Sequence, residues 1–288
     1  MYKKTAILFL ISVLTLTAFA QDKDSLMFVK THWLKSRVAR QVKLFKYHFN
    51  EKNLFAANEH ISFLEVKNTG RKVVFAIDGE EKELITTSEF GRRATAIAAV
   101  NGNFFDVKNG GSVDFVKSDG KIINLNRLEK NGNRAFHQRA AVVIENGKVA
   151  IKKWDGSTDW EKNLIEKNVL LNGPLLVFMG VNETLDTVAF NRLRHPRTCL
   201  GIKPNGRIIL LTVDGRNDNS AGMSLFELTK IMRWLGCSDV INFDGGGSTT
   251  LWVNGYPNNG VINYPTDNKK WDHEGQRKVA NVILIKKK

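Results

Sequence analysis

A run of glycines lies between one acidic and two hydroxyl residues, directly after an apolar segment of the chain. Asp244 begins this run, and the residues that follow it are Gly245, Gly246, Gly247, Ser248 and Thr249. Because glycine has no Cβ, the N–H groups of such a loop can approach a bound anion closely and form a concave nest. Asp244 could serve as a base, a nucleophile or a metal ligand. The alternative is a mobile loop in which Asp244 caps a turn.

Two arginines stand beside other apolar segments. Asp214 and Arg216 come directly after residues 207–213, and Arg197 and Thr198 begin a further apolar segment. A guanidinium binds phosphate in a bidentate manner, which a lysine ammonium does not. These residues are candidates for holding a phosphorylated ligand. The alternative is a set of turns with surface ion pairs, which stabilise a fold only slightly.

Two asparagines, Asn101 and Asn103, follow the apolar residues 96–100. Their amides could bind a sugar hydroxyl or a phosphate oxygen, or they could only cap the end of a strand. Loops at strand ends, carried by a rigid sheet, are where binding and catalytic sites are usually built. A shared site requires the tertiary structure to bring these separate loops together.

Short apolar segments bounded by turn residues dominate the chain and predict strands. The predicted strands cover residues 61–66, 73–77, 96–100, 169–171, 175–177, 207–213, 240–243, 250–253 and 279–285. Tight hairpin turns are predicted at residues 119–120 and 146–147, which read Asp-Gly and Asn-Gly. Many strands with few helices indicate an α+β fold: a single domain with a mixed or largely antiparallel sheet and a few packed helices.

One long helix and one short helix have recognisable start signals. Ser224 is a predicted N-cap for an apolar stripe at three- and four-residue spacing between residues 225 and 235, and Gly236 suits the left-handed position after its end. Ser88 is the predicted N-cap of the short helix, because its hydroxyl can accept an unpaired helix N–H.

Residues 1–20 have the three parts of a secretory signal. Lys3 and Lys4 precede an apolar stretch, and the small-x-small sequence at residues 18–20 predicts cleavage before Gln21. The apolar stretch is short for a transmembrane span, and we expect no membrane anchor after cleavage. We therefore expect an exported protein, periplasmic or secreted, whose domain occupies residues 21–288 with a core at about 60–285. Export would permit a disulfide between Cys199 and Cys237, although two separate buried thiols fit the sequence at least as well.

The composition excludes several classes of protein. Hydrophobic residues make up 42% and charged residues 25% of the 288 residues, which excludes a disordered chain. The formal net charge of +14 suggests an anionic partner or simply a solvated surface. Nucleic acid is not expected as that partner, because the chain is predicted to be exported and carries no recognisable binding module. The sequence does not predict an oligomeric state.

Six segments together resemble one family, the phosphodiester glycosidase domain of the N-acetylglucosamine-1-phosphodiester α-N-acetylglucosaminidase type, called the uncovering enzyme. The segments are NGNFFD at 101–106, GPLLV at 173–177, HPRTCLGI at 195–202, LLTVDGR at 210–216, AGMSLFELTKIMRWLGC at 221–237 and INFDGGGSTTLWVNG at 241–255. They run in family order across about residues 60–285, nearly the whole predicted mature chain. Their combination is specific, although none of them is specific alone.

The resemblance implies a hydrolase that cleaves a sugar-1-phosphodiester at the anomeric C–O bond and releases free sugar and a phosphate monoester. It implies Asp244 and Asp214 as catalytic residues, without assigning their roles. The substrate-binding residues that it implies are Asn101, Asn103, Arg197, Thr198, Arg216, Gly245, Gly246, Gly247, Ser248 and Thr249. We place Asp244 first, because it adjoins the loop suited to phosphate. No metal ligand and no cofactor is predicted, and a divalent metal stays open.

Two other functions fit the same residues. A protein that binds an anionic glycan could keep the pocket without turnover. A metal-dependent phosphodiesterase could use Asp214 and Asp244 as hard oxygen ligands and cleave the P–O bond instead. Product analysis separates both alternatives from a glycosidase.

Overall fold

A computed structural model describes residues 22–288, so the predicted export signal at residues 1–20 lies outside the described part. The helices are α1 (Lys23–Val29), α2 (Thr87–Arg93), α3 (Ala189–Arg192) and α4 (Leu225–Trp234). The strands are β1 (Leu34–Ala39), β2 (Val42–Leu54), β3 (Ala57–Lys67), β4 (Val73–Gly79), β5 (Ile85–Thr86), β6 (Ala98–Asn101), β7 (Val116–Ser118), β8 (Lys121–Asn124), β9 (Ala140–Glu145), β10 (Lys148–Lys153), β11 (Asn168–Leu171), β12 (Leu175–Phe178), β13 (Val181–Asn182), β14 (Arg197–Ile202), β15 (Arg207–Val213), β16 (Asp239–Asn242), β17 (Leu251–Val253), β18 (Lys278–Val279) and β19 (Asn281–Lys287). None of the helices in this part of the chain is long and apolar enough to cross a membrane.

The strands form three main sheets in which neighbouring strands run antiparallel. The largest has the order β1-β2-β3-β15-β14-β16-β12-β13, and the others have the orders β10-β9-β11-β7-β8 and β17-β6-β19-β4. Buried side chains from all three sheets meet in one apolar core, which includes Leu64, Leu210, Val142 and Ile283. The expectation of an α+β single domain with a largely antiparallel sheet is confirmed.

The other face of the large sheet is covered by helices. Leu228, Ile231 and Met232 of α4 are fully buried in a second apolar cluster with Leu211 of β15. The predicted start of α4 is confirmed, because the Ser224 hydroxyl accepts the N–H three residues on and a reciprocal bond completes a capping box.

The predicted N-cap of the short helix α2 is wrong by two residues. Its N-cap is Thr86, whose hydroxyl accepts the N–H of Glu89 at 3.2 Å. Ser88 lies inside the helix, and its hydroxyl bonds Gln276 at 3.1 Å instead. Thr86 ends strand β5 and already has the extended backbone that an N-cap requires, whereas Ser88 is helical.

Both predicted hairpin turns are present. Asp119 and Gly120 join β7 to β8, and Asn146 and Gly147 join β9 to β10. All four residues have positive φ values between 47° and 83°, which is the backbone twist that suits a two-residue hairpin. These turns support the sheet that forms one wall beside the site.

Three central strands of the large sheet bring the predicted site residues together at one end of these strands. Strand β14 lies between β15 and β16, and Arg197 at its start is opposite Val213 at the end of β15. Cys199, two residues further along β14, is opposite Asn242 at the end of β16. The loops that begin at Asp214 and Asp244 therefore leave the sheet at the end where β14 begins with Arg197. Cys199 and Cys237 are both buried free thiols.

Candidate active site

The glycine loop is enclosed by other parts of the protein. The N–H of Gly246 donates to the carbonyl of Pro196 at 2.9 Å. A Cβ on Gly246 would lie 3.1 Å from Nη2 of Arg216, and one on Gly247 would lie 2.5 Å from Oδ1 of Asp267. Residues around Pro196, Arg216 and Asp267 thus meet at this loop, and a larger residue at position 247 would displace a neighbouring side chain.

Most N–H groups of the glycine loop bond within the protein. Gly245 donates to Oδ1 of its own neighbour Asp244 at 2.9 Å, and the N–H groups of Ser248 and Thr249 close the short 3-10 turn at 3.2 Å. Within residues 22–288, the Gly247 N–H has no hydrogen-bond partner. The loop therefore offers one free main-chain donor, not the row of donors that a nest would supply.

Two buried hydroxyls of the loop are also unpaired. The side chains of Ser248 and Thr249 are fully buried, and neither hydroxyl forms a hydrogen bond of good geometry within the described residues, although the Ser248 hydroxyl lies near the Asp244 carboxyl. Buried polar groups in folded proteins are nearly always satisfied by protein, water or ligand. These hydroxyls are groups that a bound polar molecule can satisfy.

Asp244 has the electrostatic character of an acid–base residue. Burial raises the pKa of its carboxyl to about 6. The nearby Ser248 hydroxyl, the Gly245 N–H and the Arg277 guanidinium oppose that rise, and the carboxylate of Asp114 adds to it. Its main chain is held in place, because the side-chain amide of Asn101 donates to the Asp244 carbonyl at 2.7 Å. A carboxyl with a pKa near neutrality can exchange a proton at neutral pH.

Asn101 and Thr198 act on the site through other residues. Oδ1 of Asn101 accepts from the Thr198 hydroxyl at 2.8 Å and from the Thr250 N–H at 3.1 Å. With its bond to the Asp244 carbonyl, Asn101 therefore links β6, β14 and the end of the glycine loop. All its polar atoms are engaged, so it positions the loop without a free group for a ligand.

Asn103 is likewise committed to internal bonds. Its N–H donates to the side chain of Asn281 at 2.9 Å, and its amide donates to the carbonyl of Leu171 at 3.1 Å. Asn103 is 2% exposed. It joins the 101–106 loop to β11 and β19, which explains an asparagine at this position on structural grounds.

Arg197 is a buried guanidinium that binds main-chain carbonyls. Its Nε donates to Met223 at 2.8 Å, and its Nη2 donates to Phe190 at 2.6 Å and to Leu193 at 3.0 Å. Its Cζ lies 4.8 Å from the centre of the Phe190 ring. Burial and the charge of Arg216 lower its pKa to about 10. No acidic side chain of the described residues forms a salt bridge with it, and its positive charge acts on the neighbouring His195 and Arg216.

Arg216 is the exposed cation of the site. It has a left-handed backbone with a φ of 61°, and its Nη2 lies 3.4 Å from Nδ1 of His195. Burial and the charges of Arg197 and Arg216 lower the pKa of His195. A neutral imidazole and two guanidiniums beside the glycine loop favour binding of an anion there.

The loop that carries Arg216 rests on a buried carboxyl, Glu59. One Glu59 oxygen accepts from the Gly222 N–H at 3.1 Å and from the Ser220 hydroxyl at 3.2 Å. Burial raises the pKa of Glu59 to about 9, so this carboxyl is protonated at neutral pH. A neutral hydrogen-bonding group therefore anchors the C-terminal end of the turn.

Asp214 is fully buried and its carboxylate faces a histidine. Oδ2 lies 2.7 Å from Nδ1 of His60, and Oδ1 accepts from the amide of Asn263 at 2.8 Å and the N–H of Tyr264 at 2.9 Å. Asn263 also donates to the Thr249 carbonyl at 3.0 Å, which ties this cluster to the glycine loop. Asp214 thus orients His60, a residue that no motif in the sequence singles out.

Asp114 and His137 form a second pair of a buried carboxylate and a histidine. Oδ1 of the buried Asp114 accepts from Gln138 at 2.7 Å and lies 3.2 Å from Nε2 of His137, while its Oδ2 is buried without a partner in the described residues. The His137 ring contacts Phe104 at 4.8 Å between centroids. Neither Asp114 nor His137 belongs to a motif that the sequence singles out.

No group of three or more His, Cys, Asp or Glu side chains among residues 22–288 is arranged to hold a metal ion. The structure brings together Asp244, Arg197, Arg216 and the glycine loop, as the hypothesis of a shared site requires. It adds Arg277, whose Nε donates to Asp267 at 2.8 Å directly against Gly247. Sequence reasoning missed Arg277 because it lies 30 residues beyond the loop in an otherwise unremarkable segment.

Comparisons with known proteins agree on one family. The family model described as phosphodiester glycosidase matches residues 94–286. The N-acetylglucosamine-1-phosphodiester alpha-N-acetylglucosaminidases of Mus musculus and Bos taurus are 25% identical over 217 residues and 28% identical over 216 residues, in each case 71% of this chain. The chain spans about 40% of the length of these relatives.

A solved structure has the same fold. The zebrafish N-acetylglucosamine-1-phosphodiester alpha-N-acetylglucosaminidase catalytic domain, auto-inhibited by its pro-peptide, superposes with a TM-score of 0.63 at 21% sequence identity. The match covers 86% of this chain and 83% of the zebrafish chain.

Proposed function

The chain belongs to the phosphodiester glycosidase family, and from this premise we propose that it is an exported hydrolase that cleaves a sugar-1-phosphodiester at the anomeric C–O bond. The products would be a free sugar and a phosphate monoester. The observation that carries the proposal is the meeting of Asp244 with Arg216 and Arg197 at the glycine loop. Export is proposed from the pattern of residues 1–20.

The cationic side of the loop would bind the scissile phosphodiester. Arg216 and the unpaired N–H of Gly247 are the donors available for its oxygens, and the charge of buried Arg197 adds to the local positive potential. Donors that are fixed before the substrate arrives stabilise developing charge without reorganising. As the C–O bond breaks, its electron pair goes to the phosphate oxygen, a weak base that needs little protonation.

Asp244 would act on the water that replaces the phosphate at the anomeric carbon. Its ionised carboxylate removes a proton from that water while the water oxygen bonds to carbon, and the proton finally resides on the phosphate monoester or in solvent. The same negative charge stabilises the oxocarbenium-like sugar in the transition state. Asp214 would contribute by orienting His60, since both of its oxygens are already bonded within the protein.

Hydrolysis in 18O-labelled water tests the reaction. We expect the purified chain, incubated with α-linked N-acetylglucosamine-1-phosphodiesters and related sugar phosphodiesters, to release both products with the label in the sugar. Label in the phosphate would mean P–O cleavage and would support a metal-dependent phosphodiesterase instead. Saturable binding of the same compounds without product would support a glycan-binding protein.

The pH dependence of the rate tests the role of Asp244. Because its pKa is raised to about 6, the carboxylate that serves as base is lost as the pH falls through 6. We expect kcat/KM to fall about tenfold per pH unit below that value, because only the ionised fraction is active. A rate that instead declines as the pH rises above 6 would identify Asp244 as a general acid, and a flat profile from pH 5 to 7 would remove it from proton transfer.

A further inference from the structure

A hollow lies beside His60, the histidine that bonds Asp214. Its volume is about 160 Å³. That is below the roughly 300–1,000 Å³ of a pocket for a whole ligand and suits one functional group. Its lining residues are Lys46, His60, Tyr256, Pro257, Asn258, Val261, Ile262, Tyr264 and His273. This lining contains three basic side chains and no carboxylate among the described residues.

The two imidazoles of the hollow each leave one nitrogen unpaired. Nδ1 of His60 bonds the carboxylate of Asp214 at 2.7 Å, and Nδ1 of His273 lies 2.6 Å from the carbonyl of Asn263. A carbonyl oxygen only accepts, so His273 carries its proton on Nδ1 when it is neutral. Within the described residues, neither ring has a hydrogen-bond partner at Nε2.

The third basic group is Lys46 of β2, which forms no salt bridge within residues 22–288. Asp272 and Glu274, two carboxylates of the segment after Tyr264, line a neighbouring hollow. The Asp272 carboxylate also accepts hydrogen bonds from the side-chain amide of Asn268 and from the N–H of Glu274. The positive charge of Lys46 is therefore not neutralised inside the hollow.

The walls of the hollow are fixed by aromatic stacking. The Tyr264 ring lies parallel to Trp271 with 4.1 Å between centroids, and His273 packs at 4.3 Å from the same ring. The His60 ring meets Tyr264 edge-on at 5.0 Å. Because these rings pack against one another, the two imidazoles are held in place before a ligand binds, which lowers the entropic cost of binding.

We propose that this hollow is a subsite for a second phosphate group, carried by the part of the substrate beyond the scissile phosphodiester. A single side chain joins it to the catalytic loop, because Asn263 donates both to Asp214 and to the Thr249 carbonyl. The enzyme would then favour substrates with at least two phosphate groups, such as oligomers of glycosyl phosphates. This inference deepens the proposed function and rests on it for the identity of the substrate.

Titration of the protein with inorganic phosphate tests the subsite without any turnover. Histidine ring signals in 15N NMR report the two locations separately, since His195 lies beside Arg216 whereas His60 and His273 line the hollow. We expect phosphate to shift the His60 and His273 signals, and Lys46→Gln to weaken that response about tenfold. Lys43→Gln is the matched control, because Lys43 lies on the same strand and does not line the hollow. Shifts confined to His195, or shifts at His60 that Lys46→Gln leaves unchanged, would overturn the subsite.

Substrate preference tests the same subsite during turnover. Two α-N-acetylglucosamine-1-phosphodiesters are compared, one with a methyl group as the alcohol and one whose alcohol carries a terminal phosphate. We expect the second to have the higher kcat/KM and Lys46→Gln to reduce this preference about tenfold through KM, with Lys43→Gln retaining it. Equal kcat/KM values for both substrates would contradict the subsite while leaving the glycosidase intact. Inactivity on both, combined with phosphate shifts at His60, would reject the glycosidase and keep the site.

Discussion

Asp244→Asn is expected to lower kcat on a sugar-1-phosphodiester by about a thousandfold, within the range of general acid–base contributions. Asparagine preserves the shape of the side chain and its bond with the Gly245 N–H, but it neither accepts a proton from water nor carries the charge that stabilises a sugar cation. Steady-state kinetics with the methyl phosphodiester of N-acetylglucosamine measures the effect.

The fold of the Asp244→Asn variant should be intact. The pKa of Asp244 is raised in the folded protein, so the carboxyl favours folding most below its unfolded pKa, and that contribution is lost as the pH rises through about 6. A neutral asparagine avoids this loss, and we expect a Tm at pH 8 equal to or above that of the parent protein. Asp218→Asn, an exposed change in the Arg216 loop, is the matched control and should retain activity. Full activity in folded Asp244→Asn would reject Asp244 as the catalytic base.

Arg197→Lys is expected to destabilise the protein by roughly 3 to 5 kcal/mol, because it leaves buried carbonyls unpaired. The guanidinium bonds three carbonyls in different directions, from Phe190 and Leu193 near α3 and from Met223 before α4. A lysine ammonium is a compact charge on a flexible stem and does not reproduce the planar fork that joins them. Urea unfolding followed by circular dichroism measures the change in the free energy of unfolding.

A matched control separates this effect from the general effect of replacing an arginine by a lysine. Arg192→Lys alters an exposed arginine at the end of α3, only five residues earlier, and should change the free energy of unfolding by less than about 0.5 kcal/mol. If Arg197→Lys lowers the free energy of unfolding by less than 1 kcal/mol, the hydrogen bonds to the three carbonyls contribute little to stability. Arg197 would then matter chiefly as a charge near the phosphate, and its replacement would affect KM more than stability.

The two variants address different contributions to one site. Asp244 is expected to act on the reacting atoms, whereas Arg197 holds the segments on either side of Pro196, whose carbonyl accepts the N–H of Gly246. Both residues belong to motifs that the sequence singled out for the same reason, as potential ligand contacts. Their hydrogen bonds indicate different roles, catalytic for Asp244 and structural for Arg197.

Local signals in the sequence were sufficient for most elements. Short apolar segments predicted strands, and the dipeptides at 119–120 and 146–147 predicted hairpins, because these features depend on residues close together in the chain. The capping box of α4 was predictable for the same reason, and the error at α2 arose because Thr86 and Ser88 are equivalent as residue types. Their difference is the extended backbone that β5 imposes on Thr86.

The sequence by itself determined that polar residues suited to anion binding follow the ends of apolar strands. It also determined that Asp244 adjoins a loop of three glycines, whose backbone is the least restricted by side chains. Only the tertiary structure decided which of those groups are free. Asp214 is bonded to His60, 154 positions away in the chain, and Asn103 to Asn281, 178 positions away. A side chain's residue type sets which bonds it can form, but burial and the register of distant strands set which partners reach it. Those properties come from packing of the whole chain, and no local pattern encodes them.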